Sequence, residues 1–364
     1  MDNIVKLRTY DGAAIAGLLA VSGLFFTASG VITGLSGPAA WISVILAHVF
    51  MLIVFLLTAV FVRWHNGKDI IAVTSSLLGK PAGFLYGAAL SLYFCFFTGV
   101  LIREATEILK IYALPLTPIY VVAGLLILSA VTMNLFGGQA MIKSAGFFFI
   151  IIVFGVVLIL LLGVNRYNPD YLFSVLGGGR DNIAKSGRYL ASMIGFIPAL
   201  ALLAPGFQNN GAYKKAGVIA LLASAFLSTL FYLCLVMTFS KDVSPEMASG
   251  FMELAKSIYY NHFFYRFESF LLFLMIFSSV MAAAIGLYIA RKSAGIIFSV
   301  KSRKTVTAAC AVIAAAVVFL PANLLDFKNH YLASLWDYGV YFTAGVPLLL
   351  FAVSAVKRIF KYEN

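Results

Sequence analysis

The most conspicuous pattern along this chain is a series of long apolar blocks that contain no Lys, Arg, Asp or Glu. Their lengths are close to the roughly 20 residues that an α-helix needs to cross a hydrocarbon layer about 30 Å thick. We therefore predict a polytopic, all-α membrane protein with about ten transmembrane helices. The predicted spans are 12–35, 40–62, 82–102, 117–136, 144–164, 189–207, 216–240, 269–290, 305–320 and 338–356, with Pro321 expected to end the ninth early.

Composition supports a membrane environment and changes how the net charge is interpreted. Apolar residues make up 62% of the chain and charged residues 11%, against about 45–50% and about 25% in a soluble domain. The net charge of +12 comes from Lys and Arg at the ends of the apolar blocks. This pattern is typical of loops beside a membrane and not of a nucleic-acid-binding face. We expect membrane lipid and no nucleic acid as partner.

The distribution of the 26 Lys and Arg residues also predicts an orientation. Most of them fall on the same side as the N-terminus, so both termini are expected in the cytoplasm. The first apolar block is too long for a signal peptide, so we expect it to remain as a membrane helix. Two longer connections, 165–188 and 241–268, lie on the outer side, and 251–260 has the pattern of a short amphipathic helix.

Two of the predicted spans contain residues that weaken a helix. The first has a central run of small and helix-weakening residues from Ala20 to Gly30, and the sixth has Gly195 followed by Pro198. Small residues also permit close helix packing, but interruptions at equivalent places in two five-helix halves are typical of transporters. We expect one domain with repeats at about 10–164 and 187–358. The N-terminal end of each half-helix is a candidate site for a substrate carboxylate.

Ionisable residues near membrane spans are candidates for ligand or proton binding. Arg103, Glu104, Glu107 and Lys110 follow the third span, where an ion pair between Arg103 and Glu107 is the main alternative to a functional role. His48 in the second span is either a satisfied core histidine or a titrating group.

The remaining charges near span ends have similar alternatives. Glu268 and Asp337 precede the eighth and tenth spans, where each is either a helix-end charge or a ligand. Lys143 precedes the fifth span and is able to extend to the headgroups. Together with Glu104, these three residues are our candidates for ion or proton coupling.

No motif in the sequence supports an enzyme. The metalloprotease, phosphate-loop and Ser/His patterns are all missing. Cys95, Cys234 and Cys310 lie in three different apolar blocks, which predicts packing roles and not a disulfide or a metal site. We therefore expect no catalytic residues, metal or cofactor.

Several short stretches, in this order and spacing, resemble the B subunit of spore germinant receptors. This is the endospore germination permease family, within the amino acid–polyamine–organocation superfamily. The stretch Arg-Phe-Glu-Ser-Phe at 266–270 is the most specific. The others are 41–44, 78–80, 103–104 leading to 114–118, and 202–205 ahead of the basic pair at 214–215.

The resemblance implies a LeuT-like fold of two inverted five-helix repeats that binds a nutrient, often an amino acid. It also implies an A subunit and a C-subunit lipoprotein as partners, in the inner membrane of a spore. The ligand pocket would lie at the breaks of helices one and six, closed by residues of helices three and eight. Its implied members are Gly23, Phe25, Phe26, Ser29, Tyr93, Gly195, Phe196, Pro198, Ser278 and Ser279.

The sequence also departs from the family pattern. Gln139 and Lys143 stand where many members have an acidic residue followed by Arg, and Ile197-Pro198 stands where members often have Glu. These departures weaken proton coupling at those positions, although a lysine on helix five replaces a sodium ion in related transporters. The runner-up function is an amino acid permease that moves its substrate across the membrane.

Overall fold

The computed structural model describes residues 6–173, 177–239, 247–258, 267–300 and 302–362. Within these ranges the chain is almost entirely helical, and β-structure is limited to one isolated bridge between Leu7 and Phe207. The helices are α1 (Thr9–Val21), α2 (Ala28–Ser36), α3 (Ala40–Trp64), α4 (Ile70–Leu78), α5 (Lys80–Tyr112), α6 (Ile119–Phe136), α7 (Gly138–Leu162), α8 (Arg180–Met193), α9 (Phe196–Leu203), α10 (Asn210–Thr238), α11 (Gly250–Ser257), α12 (Phe267–Phe298), α13 (Arg303–Phe319), α14 (Leu324–Asp326), α15 (Ala333–Val340) and α16 (Val346–Tyr362).

Eight helical stretches of the described chain are long and apolar enough to cross a membrane. They correspond to eight of the predicted spans, with helical ends that differ by several residues. The remaining two predicted spans are also helical. The first is interrupted between α1 and α2, and the ninth is α13, which has 17 residues and ends just before Pro321, as expected.

Several helices extend beyond the uncharged blocks. The third continues for ten residues past its predicted end at Ile102, so that the charged cluster from Arg103 to Lys110 lies within α5. The sixth begins at Arg180, nine residues before the predicted start, which places the end of the connection 165–188 in a helix. Helices exceed uncharged blocks because charged residues are also good helix formers.

The short amphipathic helix predicted in the connection 241–268 is confirmed as α11, Gly250–Ser257. The side chain of Ser249 caps its first turn by accepting from the backbone N–H of Met252 at 3.3 Å. The last residues of the predicted segment, and Arg266 of the resemblance, fall outside the described residues.

The helices pack through small residues. Helix α12 lies against α5, and α10 lies against both α1 and α3. A Cβ atom on Gly217 of α10 would come within 2.0 Å of the Phe55 ring on α3, and one on Gly155 of α7 within 2.3 Å of Leu274 on α12. Glycines therefore set the distances between helix axes in this bundle.

The outer surface of the bundle is apolar. Large side chains on α6 and α7 are more than half exposed, among them Leu125 at 61% and Phe154 at 66%. An apolar surface of this extent would be unstable in water but is normal against lipid. The structure thus agrees with a protein whose solvent is the bilayer.

Candidate functional site

The first predicted break is present between α1 and α2. After Val21 the chain forms a short 3₁₀ turn from Ser22 to Phe25, and Phe26 is extended with ψ of −169°. Gly23 packs closely against the other interrupted helix, since a Cβ atom there would lie 2.8 Å from the terminal methyl of Met193. The first break is therefore in contact with the end of α8.

The loop helix α11 covers one side of this break. Ser249 Oγ donates to the carbonyl oxygen of Phe25 at 2.8 Å, and the N–H of Gly250 donates to Ser29 Oγ at 2.8 Å. The rings of Phe25 and Phe251 pack with their centroids 5.4 Å apart. The first bond satisfies a carbonyl group at the interruption, and the second satisfies an N–H group in the first turn of α11.

The N-terminal end of α2 is bound by an acidic side chain. The hydroxyl of Thr27, the residue before the first turn of α2, donates to the carboxylate of Glu104. Glu104 lies on α5 and is only 3% exposed. We expected this helix end to receive a substrate carboxylate; in the structure the chain's own carboxylate occupies that position.

The second predicted break lies between α8 and α9. The chain leaves α8 at Met193, Ile194 has ψ of 60°, and α9 resumes at Phe196. Pro198 is not at the break itself but in the first turn of α9. A proline is tolerated there because the first N–H groups of a helix have no intrahelical acceptor.

Ser192 fixes the end of α8 against α15. Its hydroxyl donates to the carbonyl of Trp336 at 2.7 Å and accepts from the N–H of Val340 at 3.0 Å. Immediately after Val340 the chain widens into a π-helical stretch, Tyr341–Gly345. Such widened turns are rare and occur often at functional sites.

The side chains of Tyr93 and Thr343 lie next to the glycine of the second break. A Cβ atom on Gly195 would lie 3.3 Å from the hydroxyl oxygen of Tyr93 and 3.8 Å from the methyl of Thr343. Neither hydroxyl has a hydrogen-bond partner among the described residues, and Thr343 is fully buried. Buried polar groups are normally bonded, so this convergence is a candidate contact for a polar ligand.

The arrangement of interrupted helices can now be compared with known proteins. The sequence profile of the spore germination protein family matches residues 14–325. The chain belongs to this family. It is 24% identical to spore germination protein A2 of Bacillus subtilis over 361 residues, covering 97% of each chain. It is 26% identical to spore germination protein B2 of the same organism over 200 residues, which cover 54% of this chain and about half, 52%, of that protein.

Solved structures share the fold at low identity. The family member resembles MhsT in complex with L-phenylalanine, with a TM-score of 0.69, 13% identity, and coverage of 94% of this chain and 88% of that one. It also resembles a sodium-coupled sialic acid symporter, with a TM-score of 0.66, 10% identity, and coverage of 93% and 77%. The protein therefore has a LeuT-like fold. Its membership of the spore germination protein family agrees with the expectation that it is not an enzyme.

Other predicted pocket residues of this family member have different surroundings. Phe26 and Phe196 are fully buried, and the Phe196 ring lies 6.1 Å from that of Phe55. Ser279 on α12 donates to the carbonyl of Met275 at 2.6 Å, whereas the buried hydroxyl of Ser278 has no partner among the described residues. Ser278 therefore has free hydrogen-bonding capacity, while the hydroxyl of Ser279 already donates within its own helix.

The structure does not bring the four coupling candidates together as one cluster. Glu104 is at the first break, as described above. Lys143 is exposed near the start of α7, and Glu268 is half-buried in the first turn of α12. Asp337 pairs with Arg188 at 2.8 Å, with both side chains about 40% exposed.

The predicted pair between Arg103 and Glu107 is present, and it is buried. The two groups are 2.8 Å apart with 4% and 14% exposed. Arg103 also donates to the carbonyl of Val318 at 2.7 Å. His48 is buried, with Nδ1 2.9 Å from the carbonyl oxygen of Val44.

Thr27, Ser249 and Thr343 were not predicted as site residues. Thr27 was inside the predicted run, but its partner Glu104 lies 77 positions away in sequence. Thr343 lies in a π-helical stretch that the sequence does not predict, because an ordinary apolar membrane span contains similar residues. Only helix packing places these groups at the breaks.

Proposed function

We propose that this protein is the membrane subunit of a spore nutrient-germinant receptor that binds a small nutrient, an amino acid by preference, in a central pocket between the two breaks. The observation that carries the proposal is the meeting of Tyr93, Thr343 and Gly195 at the second break, where the hydroxyl of Tyr93 faces the glycine and neither it nor the hydroxyl of Thr343 has a partner among the described residues. Membership of the spore germination protein family supports the biological role.

The proposed assembly contains an A subunit and a C-subunit lipoprotein in the inner membrane of the spore, with both termini of this chain cytoplasmic. We further propose that the two inverted repeats extend over about 10–164 and 187–358. The breaks of the first and sixth predicted spans would then be equivalent positions in the two repeats. The exposed apolar side chains of α6 and α7 would face lipid.

Signalling to the partners follows from linkage. A nutrient shifts a two-state protein only through its difference in affinity for the two states. The breaks are suited to such a difference because Gly23 of one contacts Met193 of the other. By reciprocity, partner subunits that favour one state change the nutrient affinity by the same factor.

The alternative function is an amino acid permease, which the shared fold with transporters supports. Uptake into proteoliposomes distinguishes the two. The receptor proposal predicts nutrient binding by the purified protein and loss of germination on deletion, without net accumulation. Sustained, saturable accumulation of an amino acid would favour the permease instead.

A substitution at Gly23 tests the position of the pocket. In Gly23→Leu the new side chain would push Met193 toward the second break and disturb the contact between the breaks, because even a Cβ atom meets that methionine at 2.8 Å. We expect the variant to accumulate in the membrane and to lose the germination response. Membrane accumulation is measured by immunoblot and the response by germination of spores with an amino acid mixture.

The matched control is Gly124→Leu on α6, where a Cβ atom has nothing within 4 Å. It introduces the same side chain into a predicted span but away from the breaks, and it should germinate like the wild type. A normal response in the Gly23 variant would place the pocket elsewhere.

A further inference from the structure

Glu104 occupies the place where a broken helix ordinarily offers its N-terminus to a ligand. The first turn of a helix has unbonded N–H groups and a partial positive charge, and in transporters such ends face anionic substrate groups. Here the hydroxyl of Thr27, at the start of α2, already donates to the Glu104 carboxylate. A ligand carboxylate at this end would meet a buried group of like charge, which is unfavourable.

The same carboxylate has no cation bound to it. Within the described part of the chain, no Lys, Arg or His nitrogen lies within 4 Å of Glu104, as the ion pairs there involve other acids. Its neighbour Arg103 is engaged by Glu107 and by the carbonyl of Val318. Lys328 acts on Glu104 only through longer-range electrostatics.

Burial makes this arrangement incomplete. Glu104 is 3% exposed, and a carboxyl group in such a position either holds a proton or is neutralised by a counter-charge. The hydrogen bond from Thr27 satisfies part of the carboxylate but carries no full positive charge. A ligand ammonium would supply both the charge and further N–H donors.

We propose that Glu104 is the counter-charge for the ammonium group of the nutrient, so that the first break selects an amine and rejects a carboxylate. An amino acid therefore binds with its ammonium toward α2, and its carboxylate interacts elsewhere in the pocket. This inference rests on the proposed function, because it assumes that a nutrient binds between the breaks.

Two matched series of probes test the proposal, one based on L-valine and one on L-phenylalanine. Each contains the amino acid, its amide, and the carboxylate that lacks the amine, isovalerate or 3-phenylpropionate. Affinity is measured by thermal stabilisation of the purified full chain in lipid-containing detergent. We expect at least one amino acid and its amide to stabilise the wild type, and both amine-free carboxylates to bind at least tenfold more weakly.

The decisive variant is Glu104→Gln, which should weaken binding of the responding amino acid and amide more than tenfold. Glu107→Gln is the control, because it removes the same charge one turn along α5 from an acid already paired with Arg103. It should change stability but keep the preference for amines. If Glu104→Gln does not fold, Glu104→Asp, with a shorter reach, should weaken amine binding while keeping the order of preference.

The outcomes separate this inference from the function on which it rests. Two outcomes would overturn the inference while the proposed pocket stands. In the first, the amine-free carboxylates bind the wild type as tightly as the amides do. In the second, the affinity of Glu104→Gln for the amino acid and its amide stays within twofold of the wild-type affinity. Stabilisation by sodium chloride alone that disappears in Glu104→Gln would identify a metal cation as the partner and also overturn it. If no probe of either series binds the wild type, the proposed nutrient pocket fails, and the inference fails with it.

Discussion

At the level of single residues, two ion pairs of equal length are expected to contribute differently to the stability of the fold. Arg103–Glu107 and Arg188–Asp337 both measure 2.8 Å, but the first is 4% and 14% exposed and the second about 40% on both sides. Breaking a buried pair leaves an uncompensated charge and costs about 3–5 kcal/mol. An exposed pair contributes only about 0–1 kcal/mol.

This contrast predicts the effect of removing each arginine. We expect Arg103→Ala to destabilise the protein strongly, since Glu107 and the carbonyl of Val318 both lose their donor. Arg188→Ala should remain within about 1 kcal/mol of the wild type. Thermal unfolding of the two variants in detergent checks the difference, and equal shifts would contradict the role of burial.

Buried hydroxyls give a second comparison, between a bonded and an unbonded group. Ser192 links two backbone groups of α15, whereas Thr343 has no partner among the described residues. Ser192→Ala should therefore lower stability by about 1–3 kcal/mol. Thr343→Val, which keeps the shape, should leave stability nearly unchanged but weaken nutrient binding, measured by ligand-dependent thermal stabilisation. Unchanged binding would remove Thr343 from the site.

At the level of helices, a glycine that contacts a neighbouring helix differs from one that faces open space in how much room it leaves for a side chain. Gly217 of α10 faces the Phe55 ring of α3, which is fully buried and also packs 5.6 Å from the ring of Tyr213. The ring therefore has little room to move. Gly124 of α6 has open space at the corresponding point.

Alanine at these two glycines should change stability in opposite directions. Gly217→Ala would separate α10 from α3, and overpacking of this kind costs about 1–3 kcal/mol. Gly124→Ala should stabilise by about 1 kcal/mol at most, because alanine favours a helix more than glycine does. Melting temperatures of the two variants provide the measurement. If both substitutions lower the melting temperature, contact with a neighbouring helix does not decide whether alanine stabilises or destabilises the protein.

At the level of the whole molecule, the membrane orientation inferred from charge gives two loops that should lie on opposite sides. Asn66 is exposed after α3, which places it on the predicted inner side. Leu116 is 96% exposed between α5 and α6, on the predicted outer side. The native Cys95, Cys234 and Cys310 are all buried, so background labelling should be low.

Single added cysteines test this orientation. Leu116→Cys should react with a membrane-impermeant maleimide in intact cells, whereas Asn66→Cys should react only after permeabilisation. Labelling is measured by a mass shift on a gel. The reverse pattern would place both termini outside and overturn the orientation.

The sequence by itself determined the fold class, most of the membrane spans, and the approximate place of both breaks. It did so because hydrocarbon excludes charge and because glycine and small polar residues weaken a helix, and both effects are local. Tertiary structure decided which groups meet at the breaks. Glu104 reaches Thr27 across 77 positions, and Ser249 reaches Phe25 across 224. Such pairings depend on how helices pack, so only the folded chain shows that an acidic side chain lies at the N-terminal end of α2.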